Sequence, residues 1–166
     1  MQNLKNNILG ISVGTQLMGL ALKKDQSLED WQVKNFEGVW SKTKLKIILQ
    51  TVERYILDHS VKGAAMKVPE NCRSSPAIEM LVKELICLCD RLNITVSIYT
   101  INDLKMFCGA SNKSELMQFV LARHPELSHV FAKTQKVKKV YYVKIFEAVL
   151  STMLLSELSP KFPTNS

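Results

Sequence analysis

Apolar positions along the 166-residue chain recur with two different periods, and the switch between them lays out the elements. Residues 8–14, Ile-Leu-Gly-Ile-Ser-Val-Gly, form a short apolar run ended by Gly14-Thr15, and residues 17–22 form a second. Two strands joined by a tight glycine turn are expected. Residues 31–36 alternate apolar and polar side chains and predict a third, half-exposed strand that completes a meander. From Ser41, a good N-cap, Leu45, Ile48, Leu49, Val52, Tyr55 and Ile56 make the i, i+3, i+4 stripe of an amphipathic helix ending near His59. Residues 63–68 are short and apolar and are stopped by Pro69, as a buried fourth strand would be.

Ser75-Pro76 supplies an N-cap and a proline at the first helical position, and Ile78, Leu81, Val82, Leu85, Cys89 and Leu92 form the stripe that follows. Residues 94–101 are rich in β-branched side chains and predict a fifth strand. Residues 108–112 then form a loop into a short helix that runs to about Arg123, broken by Pro125. A last helix is expected from about Val137 to about Leu158, with Tyr142, Ile145, Val149, Met153 and Leu154 on one side. The predicted class is α/β: a mixed five-stranded sheet, a three-stranded antiparallel meander plus two parallel strands, with helices on both faces. One domain over residues 1–158 and a flexible tail over 159–166 are expected.

Composition narrows the chemistry. No apolar run reaches the ~18 residues that span a bilayer, and the polar start resembles no secretion signal, so a cytoplasmic location with no membrane partner is expected. Cys72, Cys87, Cys89 and Cys108 form no Cys-x-x-Cys pair and read as buried, inert thiols. His59, His124 and His129 lie near helix ends or loops and read as solvated or C-capping. A formal charge of +7 favours an anionic partner, because Lys and Arg neutralise phosphates. Lys133, Lys136, Lys138, Lys139 and Lys144 fall within twelve residues, with Tyr141 and Tyr142 among them, a pattern suited to sugar or base contacts. The plainer alternative is a solvated helix face with the tyrosines in the core.

Residues 8–22 resemble the first hairpin of RuvC-type Holliday-junction resolvases of the ribonuclease-H-like superfamily, written G-I-D-x-G-x-x-x-x-G, with Ser12 in the place of the aspartate. Actin-like ATPases and the YqgF-type relatives carry a similar hairpin. The resemblance continues in Ala64-Ala65-Met66-Lys67, which matches a Val-Ala-Ile-Glu stretch with Lys67 in the glutamate's place, and in residues 107–113, which match a G-x-G-x-A-x-K loop and retain Lys113. Residues 144–150 match D-x-x-D-A-x-x, with Lys144 at the first acidic position and Glu147 at the second. The resemblance implies a ribonuclease-H-like fold, Mg²⁺ as the family's cofactor, branched DNA as partner and a homodimer.

The substitutions argue against that metal. Magnesium needs hard oxygen ligands, and a two-metal nuclease site shares several carboxylates between ions ~4 Å apart. Ser12, Lys67, Lys144 and Glu147 carry a formal +1 where four carboxylates would carry −4. An ammonium ~4 Å from a divalent ion is repelled by roughly 8 kcal/mol at an effective dielectric of 20. No metal, no small-molecule cofactor and no intact catalytic set are therefore expected. Lys144 and Glu147, three apart on one helix, are expected to pair, with Lys67 nearby; Lys67, a lysine in an apolar strand, needs a partner that Glu147 supplies, and Glu70 is expected to point elsewhere. Nucleic-acid contacts are assigned to Lys113, Lys133, Lys136, Lys138, Lys139 and Tyr141. Three function classes remain open: a non-cleaving nucleic-acid-binding protein, a structural or interaction scaffold such as a homodimer, and an active nuclease or phosphotransferase.

Overall fold

A computed structural model of the chain describes residues 6–70, 75–136 and 140–158. Its framework is one mixed sheet of β1 (Asn7–Ser12), β2 (Leu17–Lys24), β3 (Ser27–Asn35), β4 (Gly63–Lys67) and β5 (Thr95–Tyr99), in the order β3-β2-β1-β4-β5. The first three strands are an antiparallel meander, and β4 and β5 lie parallel to β1 and to each other. This is the sheet the sequence predicts. β2 and β3 run longer than expected because Asp25, in the left-handed region at φ 57, closes a tight turn that lets Ser27, Leu28 and Asp30 join the ladder.

The two faces of the sheet are filled differently. On one, Leu9, Ile11, Val13, Met18, Leu20 and Met66 pack against α1 (Lys42–Asp58) and α2 (Pro76–Arg91). Both helices begin as expected: the Ser41 hydroxyl accepts from the Lys44 backbone N–H and the Ser75 hydroxyl from that of Ile78, with Pro76 at the first turn. The opposite face is covered by a long helix, and the chain reaches it through three shorter ones.

Here the expectations need correction. The fifth strand ends at Tyr99, and α3 (Ile101–Cys108) follows, set by a capping box in which Thr100 and Asp103 satisfy each other's backbone N–H. α4 (Lys113–Arg123) starts where the expected loop ends, with the Asn112 side chain accepting from the Glu115 backbone N–H as its cap. Pro125 does not end helical structure. It opens a single 3-10 turn, Pro125–Leu127, that leads into α5 (Ser128–Lys136). α6 (Val140–Leu158) is not one-sided: every residue from Ile145 to Leu155 is buried, because α3, α4 and α5 cover the side that the sheet does not. Its hydroxyls are satisfied within the helix, Ser151 donating to the Glu147 carbonyl and Thr152 to that of Val149.

Candidate functional site

Alternation along β1 and β4 decides what faces α6. Leu9 and Ile11 point toward α1 and α2, so Ile8, Gly10 and Ser12 point the other way, and Ala65 and Lys67 do the same on β4. This face is small-residued because the helix backbone sits directly on it. A Cβ on Gly10 would lie 2.0 Å from the Ala148 carbonyl oxygen, and one on Gly19 would lie 2.2 Å from that of Lys144. The hairpin glycines seat α6, and that seating carries Lys144 and Glu147 to the carboxyl ends of β1 and β4. The hairpin motif contains both glycines, but the close approach they permit was not legible without the helix.

Ser12 and Lys67 are register partners across the parallel β1/β4 pair, and Glu147 descends onto both. The Ser12 hydroxyl donates to Glu147 Oε1 at 3.1 Å, and Lys67 Nζ stands 3.1 Å from Glu147 Oε2. All three residues are buried, Glu147 with 2% of its surface exposed. The Lys67 contact is an ion pair without hydrogen-bond alignment, since Oε2 has no aligned donor among the described residues. Lys144 departs from expectation. It is Lys67, not Lys144, that pairs with Glu147, because Lys144 reaches back over the turn and donates to the Val13 carbonyl at 3.3 Å. Burial pushes the Lys144 ammonium down to about 8, with the charges of Lys67 and Lys113 acting in the same direction and Glu147 opposing them. Glu70 is exposed, as anticipated.

The four positions matched to the resolvase motifs therefore converge, and Lys113 is close enough to act on Lys144. The donor set does not fit a divalent ion. One carboxylate already engaged by Ser12 and Lys67, in the company of ammonium groups, offers neither the charge nor the hard oxygens that Mg²⁺ requires. Among the described residues no group of three His, Cys, Asp or Glu side chains could hold a metal.

Lys133 and Lys136 are exposed on α5, with Lys133 Nζ 5.5 Å from the centre of the Tyr142 ring. Tyr141 is half-buried and meets Tyr142 edge to face at 4.9 Å, so it is less available than the sequence suggests. Lys138 and Lys139 lie outside the described residues, as do Cys72 and residues 159–166. Of the other cysteines, Cys89 is buried, its thiol raised to about 11 by desolvation, and Cys108 is half-buried. Cys87, expected to be buried, is exposed. His59 follows the end of α1, where its backbone N–H caps the helix, and His129 is exposed. His124 takes the C-capping role, its backbone N–H donating to the Val120 carbonyl at the end of α4, and its ring is buried, with Nδ1 3.3 Å from Glu126 and its pKa lowered by burial.

No protein-family model and no curated protein matches the sequence. Solved structures do. The RuvC structure of Thermus thermophilus superposes with a TM-score of 0.67 at 12% identity, over 92% of this chain and 96% of that one. The same protein solved in complex with a Holliday junction substrate gives 0.66 at 12% identity over the same shares. The fold is RuvC-like and ribonuclease-H-like. Within that RuvC-like fold, the motif positions expected from the sequence occupy the carboxyl ends of the central strands. No helix among the described residues is long and apolar enough to cross a membrane.

Proposed function

We propose that this chain is a catalytically inactive RuvC-like protein that binds DNA, branched DNA included, through a basic face. The observation that carries the reading is the buried Lys67–Glu147 pair, which stands where a metal-dependent nuclease would need acidic ligands. Support for a DNA partner comes from the +7 charge, from exposed Lys113, Lys133 and Lys136, and from the likeness to a RuvC solved with a Holliday junction. The test is a gel-shift and cleavage assay on four-way junction, duplex and single-stranded DNA, with EDTA, Mg²⁺ or Mn²⁺. Binding in EDTA that falls steeply with added salt, and no cleavage under any condition, is the expected result. Absence of binding, or a metal-dependent cleavage that Glu147→Gln abolishes, would overturn it.

A second reading, a scaffold for a partner or a second copy of the chain, is favoured by one feature. At the terminal strand β5, Ile98 is 44% exposed, and on the adjoining α3 Met106 is 82% exposed, beside a groove lined also by Tyr99, Phe107 and Leu154. A stable dimer in light scattering without any DNA binding would favour this reading.

A further inference from the structure

Charge at the carboxyl ends of β1 and β4 is unbalanced. Glu147 is committed on both oxygens, Oε1 to the Ser12 hydroxyl and Oε2 to Lys67. Lys144 donates to a neutral backbone carbonyl and forms no ion pair among the described residues. Lys113, exposed at the start of α4, adds a third ammonium. Three lysines thus share one carboxylate.

The groups acting on Lys144 come from every element around it: Glu147 from its own helix, Lys67 from β4, Lys113 from α4, and the Val13 carbonyl just after β1. Gly14 lies against that ammonium, since a Cβ there would begin only 3.1 Å from Lys144 Nζ. The grooves at residues 35–47 and beside Leu154 are not lined by these lysines.

We propose that Lys144, Lys67 and Lys113 form a metal-independent site for a single phosphodiester, whose anionic oxygens take the ammonium protons directly. An ammonium has three donors, and Val13 accepts one from Lys144. A monoanionic phosphodiester relieves the repulsion among the lysines without disturbing the Lys67–Glu147 pair. Its source rests on the DNA-binding reading, but the site can be probed without DNA.

The probe is a thymidine dinucleoside monophosphate, whose phosphodiester keeps its single negative charge from pH 7 to pH 9, titrated into the isotope-labelled full chain in EDTA and followed by NMR. Shifts at Val13, Gly14, Lys113 and Lys144 are expected. Because the bound anion favours protonated Lys144, affinity should fall about tenfold between pH 7 and pH 9 as that proton is lost. Lys144→Arg, charged throughout, should bind and lose this pH dependence, and Lys113→Ala, at an exposed position, should weaken binding severalfold without affecting folding. Binding that requires Mg²⁺, wild-type binding that is flat with pH, or no shift at these residues at millimolar dinucleotide would sink the proposal. If the dinucleotide binds here and no DNA does, the DNA-binding function fails while the site stands. If DNA binds and the dinucleotide leaves these residues unmoved, the site fails and the function stands.

Discussion

The two faces of the same strands do different work. Toward α1 and α2, β1 and β2 present Leu9, Ile11, Met18, Leu20 and Leu22, a core of large side chains that could be repacked with other apolar residues of similar volume. Toward α6 they present Gly10, Ser12, Gly19, Ala21 and Lys23, residues whose sizes are set by helix backbone and whose polar members need partners. One face supplies hydrophobic stabilisation, whereas the other fixes where Lys144 and Glu147 stand. The contrast teaches that the charged cluster depends on the glycines as much as on the lysines.

The sharpest break of that contrast is to unpair the cluster. Lys67→Met removes the ammonium 3.1 Å from Glu147 and leaves a carboxylate with 2% exposure that keeps the Ser12 hydroxyl but has lost its ion-pair partner. Breaking a buried pair from one side costs about 3–5 kcal/mol, and we expect urea denaturation to show a loss of that size. The double variant Lys67→Met/Glu147→Leu should recover part of it, since neither charge of the pair remains while Lys144 loses the carboxylate that opposed its burial. Glu53→Gln, which breaks the exposed Arg91–Glu53 pair at 3.3 Å, should cost about 0.5 kcal/mol or less. Equal losses for the two single variants would mean that the core pair is solvated and that the faces do not differ as described.

Neighbouring residues on opposite faces offer a second break. Gly10→Val must displace α6, because its Cβ alone would stand 2.0 Å from a helix carbonyl, and we expect a cost of at least about 3 kcal/mol. Ile11→Val, one residue along and facing α1 and α2, removes one methylene for about 1 kcal/mol. Similar denaturation midpoints for the two variants would show that α6 does not rest on β1 as closely as the geometry requires.

This division also explains what the sequence reveals and what it hides. Elements with a plain signature are legible: short continuous apolar runs mark β1, β2 and β4, and the period-3.6 stripes with the Ser41 and Ser75 caps mark α1 and α2. Ser12, Lys67 and Glu147 could be placed together because a polar residue in an apolar strand calls for a partner. Beyond β5, the helices α4 and α6 were legible as elements, whereas α3 and α5 were hidden. α3 follows a β-branched run without a break, and α5 follows a proline whose local role is to start a turn. The stripe of α6 misled because a helix buried on all sides has no single face to read. The partner of Lys144 was missed because a backbone carbonyl, unlike a carboxylate, leaves no mark in the sequence.

The smallest effect separates the faces by pH. Lys144 sits at about 8 in the folded chain against an ordinary 10.5, so between those values the unfolded chain holds more of this proton than the folded one. Stability must then rise with pH across that window, whereas below pH 8 both states are protonated and the full penalty of a buried, repelled ammonium is present. Lys23 shifts in the same direction, and Tyr55, raised by burial and by its bond to Asp30, opposes both near the upper end. The wild-type curve alone is therefore ambiguous, and the informative quantity is its difference from Lys144→Met. That variant loses the Val13 hydrogen bond at every pH, a constant offset, and loses the titration. The stability of the wild type relative to the variant should climb by about 1 kcal/mol per pH unit from pH 8 to pH 10, and level off below pH 7. Parallel denaturation curves across that range would place Lys144 in open solvent and remove the electrostatic strain on which the phosphodiester site depends.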